Sequence, residues 1–278
     1  MPVRIVTDSA CDLTEAETDE LGIIVVPLSI RIDDVEYQDR TELTVEDFYT
    51  KMDATQKLPE TAAPSPGAFE AAFATARDEG ADAVVCINLS AALSATMQSA
   101  QNGARAIDGF DVRVVDSKSI TGGLGIIVTI AAQAARDGAS ADDIVALVEG
   151  LYGRVKVLGG LDTLDNLKKG GRIGGAAGWI GSMLNIKPII DISSGVVEKA
   201  SQQRTRRKQM NWLRDALAEA GQVEHLNVLH GGAPDYDEFL DIITKVVPRD
   251  QLRTGWIGPV IGTHGGPRMV GLCFVTSA

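Results

Sequence analysis

Four short apolar runs limit what the first half of this chain can fold into: "VRIVTD" (3–8), "GIIVVPLSIRI" (22–32), "DAVVCINL" (82–89) and "DVRVVDS" (111–117). Each reads as a buried strand, and helix-patterned segments separate them. Strands alternating with helices imply parallel βαβ units covered on both faces, so the expected class is α/β with a Rossmann-like parallel sheet. A helix is expected from about Leu13 to Leu21, and "VEYQ" should return as a short strand after a tight "DD" turn. "TVEDFYTKM" opens like a capping box, Thr44 followed by Asp47. "DATQKLPETAAPSP" reads as an extended surface loop, and Ser65 and Pro66 start a helix with Phe69, Ala72, Phe73 and Ala76 on its apolar face.

The texture changes near Val155. A glycine-rich, weakly periodic stretch, "VLGGLDTLDNLKKGGRIGGAAGWIGSMLNI", leads into strands "KPIIDIS" and "VVEKASQ". A long helix through "RRKQMNWLRDALAEA" follows, then strand "HLNVLH", helix "DYDEFLDIITKVV" and strands near 251–258 and 270–276. Two domains are therefore expected, 1–155 and 156–278, the second an α/β domain with a mixed sheet, and ligands favour such clefts.

The 278 residues are 45% apolar, enough for a substantial core, with a net charge of −12. That charge repels phosphate at long range and argues against non-specific binding to nucleic acid or anionic membrane. Cys11, Cys86 and Cys273 are far apart and in no metal-like spacing, and are expected as reduced, buried thiols. "MPVRIVTDSACDL" turns polar too early for a signal peptide, and the stretch around "GLGIIVTIAAQAA" falls short of a membrane span. A cytoplasmic protein without stable membrane insertion is expected.

"NLSAALSATMQSA" (88–100) passes from strand to helix through Ser90, Ser94, Thr96 and Ser99. Hydroxyls and free N–H groups at a helix start make an anion site. The glycine clusters "GGRIGGAAG" and "GGLG" give neither a dinucleotide fingerprint nor a P-loop, so nucleotide binding through them is excluded. His225, His230, His264 and the cysteines lack ligand spacing, and Asp8, Asp12, Asp116 and Asp162 read as strand-end caps, so no metal and no cofactor are expected. Ser94, His264 and Asp116 or Asp8 could converge as a nucleophile, base and acid, but no G-x-S-x-G elbow is present. Lys168, Lys169 and Arg172 in "LKKGGRI", and Arg204, Arg206, Arg207 and Lys208 in "RTRRK", are either solvated faces or a patch for an acidic partner. In "GPVIGTHGGPRMVG", His264 on a strand-to-loop turn either meets a ligand or caps its own loop.

Taken in order, "TDSACDL", "TAAPS", "LSAALSAT", "DSKSITGGLG", "LKKGGRI", "IKPI", "RTRR" and "IGTHGGPRMVG" resemble the DegV family of bacterial fatty-acid-binding proteins. The resemblance implies a lipid carrier and not an enzyme: a long-chain fatty acid such as palmitate or oleate lies in a tunnel between or within two α/β domains. It implies Thr61 and Ser94 as the hydroxyls on the carboxylate, with Ala95, His264 and Arg204 beside them. It also implies presentation of the acid to a fatty acid kinase, with Lys169 and Arg172 on the partner surface. Two positions depart from the family pattern: Ala95 stands where glycine is usual, and Arg268 replaces a small residue, which adds a positive charge near the head group. The competing readings are a lipid hydrolase or acyltransferase built on Ser94 and His264, and a small-anion sensor without lipid.

Overall fold

The protein is described from a computed structural model covering residues 2–55, 57–179 (without the Trp179 side chain) and 186–277. Residues 180–185 of the glycine-rich stretch lie outside the described residues. In chain order the elements are β1 (Val3–Asp8), α1 (Glu15–Leu21), β2 (Ile24–Val26), β3 (Ser29–Ile32), β4 (Val35–Gln38), α2 (Val45–Ala54), β5 (Glu60–Ala62), α3 (Pro66–Asp78), β6 (Ala83–Asn88), α4 (Thr96–Ala106), β7 (Asp111–Asp116), α5 (Thr121–Arg136) and α6 (Ala141–Gly150). The chain continues with β8 (Val155–Gly160), α7 (Asp165–Lys169), β9 (Lys187–Asp191), β10 (Glu198–Gln203), α8 (Arg206–Glu219), β11 (Val223–Gly231), α9 (Tyr236–Ile243), β12 (Leu252–Trp256), α10 (Pro259–Gly265) and β13 (Met269–Thr276).

Three sheets organise these elements. The first, ordered β2-β1-β6-β7, is parallel throughout. The second, ordered β10-β9-β8-β13-β11-β12, is mixed, with β11 and β12 parallel and the other pairs antiparallel. This is the two-domain α/β architecture, the parallel sheet built from residues before 117 and the mixed sheet from 155 onward. The third is a small antiparallel sheet, β4-β3-β5, which the sequence reading did not contain.

That third sheet corrects two expectations. "GIIVVPLSIRI" is not one strand: Pro27, lacking an N–H, separates β2 in the parallel sheet from β3 in the small one. The turn is held because Ser9 Oγ accepts the Leu28 N–H at 3.1 Å. The segment read as a loop contains β5, whose Thr61 pairs with Ile30 of β3. Three residues are too short to signal a strand; the partner strand supplies the ladder.

Helix starts follow the sequence closely. Ser65 caps α3 through the Ala68 N–H, and Phe69, Ala72, Phe73 and Ala76 are its buried residues. Removing such a phenylalanine side chain from water is worth about 1.5–3 kcal/mol. Thr44 caps α2 through the Asp47 N–H, and the first helix begins two residues late, at Glu15, after a Thr14–Glu17 capping box. α5 is buried almost all round, as a helix with apolar residues on every face must be. It packs on β1 and also on β8, β11 and β13, so one core runs through both domains, from Val3 through Leu124 to Val157 and Val275. Among the described residues no helix is long and apolar enough to cross a membrane. All three cysteines are free and buried.

Candidate binding cavity

A cavity lies between the two domains. Its walls come from Leu28 just before β3, from β5, the loop after β6, the start of α5, the inner face of the mixed sheet, and α10. Leucine, isoleucine, valine and methionine dominate the lining. The polar side chains that reach it are few: Thr61, Ser94, Thr121, Arg172 and His264.

Two of these five bond each other directly, and two more stand close to one loop. The Thr61 hydroxyl and His264 Nε2 share a hydrogen bond of 2.9 Å. Burial, assisted by the positive charge of Arg172, pushes the His264 pKa down to about 4, so the ring is neutral at physiological pH. Its Nδ1 is buried without a partner and faces Gly170. With Nε2–H donating to Thr61, the bare Nδ1 leaves no stranded donor, and the Thr61 proton is free to point at a ligand. Arg172 Nε donates to the Leu93 carbonyl at 3.3 Å and Nη1 to Gly170 O at 2.8 Å, which brings the guanidinium beside the Ser94 loop. Ser94 Oγ accepts the Thr96 N–H at 3.3 Å and shares a 2.9 Å bond with the Thr96 hydroxyl. When Thr96 donates, Ser94 keeps its own proton for the cavity. Thr121 differs, since its hydroxyl donates to Asp12 Oδ2 at 2.6 Å.

His264 does not lie on a strand-to-loop turn, as expected, but in the last turn of α10. Pro259 opens that helix at a position where its missing N–H is harmless. Gly262 lets the helix close onto α2: a Cβ there would stand 2.6 Å from the Tyr49 hydroxyl and 2.8 Å from Phe48. Ser94 lies two residues before α4, whose first residue is Thr96.

Of the remaining expected site residues, Arg204 is exposed in the turn between β10 and α8 and is absent from the cavity wall. Arg172, expected on a partner surface, is the arginine that lines the cavity. Ala95 is exposed at the start of α4 and lies outside the wall, as does Lys169, exposed at the end of α7. Arg268 adds no charge to the cavity: its guanidinium is held by Asp162 Oδ2 at 2.8 Å, and its φ of 61° accommodates the turn into β13.

The acids weighed as ligands or catalysts have other work. Asp8, buried, accepts Leu89 N–H at 2.8 Å, Asn88 Nδ2 at 3.1 Å and Ala10 N–H at 3.1 Å. An internal carboxylate thus occupies the N–H groups at the ends of β1 and β6, where such sheets often hold a ligand's anion. Burial raises Asp8 and Asp12 to about 6 and Asp39 to about 7. Asp116 accepts the N–H groups of Ala91 and Lys118, and Asp162 pairs with Lys187 and Arg268. Among the described residues no group of three or more His, Cys, Asp or Glu could hold a metal ion.

A family model described as an uncharacterised protein family, DegV, matches residues 2–277. The chain belongs to the DegV family. A DegV domain-containing protein of Listeria innocua is 32% identical over 274 residues, 97% of each chain. Among solved structures, a DegV family protein from Thermus thermophilus, described as fatty acid binding, is 31% identical over all of both chains with a TM-score of 0.90. A stearic-acid-binding protein from Eubacterium ventriosum is 26% identical over 99% of this chain and 98% of its own, with a TM-score of 0.89.

Several features of this DegV cavity were not legible in the sequence. Leu28, and Ile257 with Val260, complete the apolar wall from two segments far apart in the chain. The one local hint was glycine within strands, at "VLGG" and "MVGLCF". The Ser94–His264 pairing that hydrolysis requires is not formed: Ser94 is bonded to Thr96, His264 to Thr61, and no acid orients His264 Nδ1.

Proposed function

We propose that this chain binds a long-chain fatty acid in the cavity and carries it without chemical turnover. The observation that carries this reading is the polar corner of Thr61, His264, Arg172 and Ser94, in which Thr61 and His264 are bonded, in a wall that is otherwise mainly apolar. A buried carboxylate is costly unless several donors satisfy it. Thr61 and Ser94 offer hydroxyl protons, and Arg172 offers the compensating charge. Tail burial supplies affinity at about 0.8 kcal/mol per methylene, on the order of 10 kcal/mol for a long chain before the cost of association. The donors decide which end of the ligand enters last. The fatty acid binding described for the Thermus thermophilus and Eubacterium ventriosum proteins supports the same reading.

The test is the ligand itself. Mass spectrometry of an organic extract of the natively purified protein should show a C16–C18 fatty acid at near-stoichiometric amount. Protein that stays empty after incubation with palmitate and oleate would sink the proposal and favour the small-anion sensor. Ser94 and His264, each bonded to another residue and not to one another, disfavour a hydrolase.

Presentation of the bound acid to a kinase that phosphorylates its carboxylate is the second half of the proposal. Lys168 and Lys169 are exposed beside Arg172 at the polar corner, a basic face on an acidic protein. Lys169→Glu should cut kinase-dependent acyl phosphate formation several-fold while fatty-acid affinity stays within about twofold. Unchanged phosphorylation would remove this face as the docking surface.

A further inference from the structure

The inner face of the mixed sheet carries two glycines side by side. Gly159 of β8 is the register partner of Gly271 of β13, and the row continues to Ile190 of β9 on one side and Leu229 of β11 on the other. All four residues line the cavity. The next row on the same face, Val157 and Cys273, has side chains and also lines it.

Nothing in the backbone asks for glycine at these two positions. Neither has a positive φ, and β8 and β13 pair through them without a register break. Packing does not ask for it at Gly271 either: an added Cβ would stand 3.5 Å from Leu158 O and 3.6 Å from Ile257 Cδ1, ordinary contacts. At Gly159 a Cβ would stand 3.3 Å from Ile190 Cγ1, a tight contact, so Gly271 is the position that packing leaves open. Other glycines of this sheet are different. A Cβ on Gly160 would meet Gln209 at 3.0 Å, and one on Gly231 the Tyr49 hydroxyl at 2.6 Å. Glycine inside a strand costs stability, and where neither bulge nor close packing explains it, close approach of a ligand does.

We infer that the Gly159–Gly271 pair is the floor over which the acyl tail crosses the sheet, and that it sets how long a chain the cavity accepts. Two strands without side chains open a trough between Ile190 and Leu229, whose strands lie three spacings, roughly 14 Å, apart. The polar corner lies at the α10 end of β13, where Gly265 packs on the Met269 thioether. From Met269 to Gly271 is roughly 7 Å of strand, so the tail reaches the glycine row a few methylenes beyond the head group. This rests on the fatty-acid reading above, and the experiment separates the two.

Hexanoate, palmitate and oleate are titrated against the full chain and against Gly271→Val and Gly271→Ala. Hexanoate ends short of the glycine row, whereas palmitate and oleate cross it. Valine suits a strand, and its added atoms point into the trough. Gly271→Val should weaken palmitate and oleate at least tenfold and hexanoate less than threefold, with alanine in between. Circular dichroism and thermal melting of both variants check the fold, and alanine carries the comparison if valine fails to fold. Unchanged palmitate affinity in a folded variant overturns the inference, and so does an equal loss for hexanoate and palmitate. A wild-type chain that binds none of the three acids overturns the fatty-acid reading instead.

Discussion

Thr61→Val and Ser94→Ala should each weaken binding of palmitate by about tenfold to a hundredfold, because a hydrogen bond to a charged group contributes roughly 1.5–3 kcal/mol. Thr61→Val is the sharper variant. Valine keeps the shape but removes the hydroxyl, and leaves His264 Nε2 without the partner it holds at 2.9 Å. Ser94→Ala removes one donor and also the acceptor for the Thr96 N–H at the start of α4. The double variant should lose less than the sum of the two, since both hydroxyls serve one carboxylate. Palmitate methyl ester separates head-group reading from wall shape. It should bind the wild type worse than the acid and lose little more in either variant. If acid and ester lose affinity by the same factor, these hydroxyls merely shape the cavity.

How much of this was legible depended on whether a residue's neighbours were near it in sequence. Ser65, Thr44 and the buried face of α3 are local features, set by capping and by a 3.6-residue period, and the structure keeps them. The parallel sheet follows from strand–helix alternation. The β5 strand does not, because three residues carry no period of their own and are extended only by pairing with β3. The head-group candidates divide the same way. Thr61 and Ser94 came from motif resemblance, and both line the cavity. Arg172 and Arg204 stood in similar basic runs, and composition could not say which of the two lines the cavity. That is decided by the turn from Gly170 to Arg172, whose side chain bonds Gly170 O and Leu93 O, contacts 2 and 79 residues away. The glycine row of the mixed sheet needed the register of β8, β9, β11 and β13 together. One strand by itself cannot reveal it.

Arg172→Glu should be the most damaging single change at the polar corner, with palmitate affinity reduced by more than about a hundredfold at pH 8. Arg172 is exposed where it borders the cavity, and reversal replaces a compensating charge with one of the same sign as the ligand. Its pH dependence identifies the cause. In the wild type His264 titrates near 4, held down by burial first and by Arg172 second, so the imidazole adds no pH dependence to binding between 6 and 8. With a carboxylate in place of the guanidinium, one cause of the low value disappears and an opposite charge favours the imidazolium, so the His264 pKa rises. Protonation then places a cation beside the ligand carboxylate. Affinity in Arg172→Glu should therefore recover several-fold from pH 8 to pH 6, and Arg172→Glu combined with His264→Asn should not recover. The methyl ester, which carries no charge, should be nearly indifferent to both changes and to pH. Palmitate binding that survives Arg172→Glu at pH 8 would return this arginine to the outer face, as a residue for a partner and not for the bound acid.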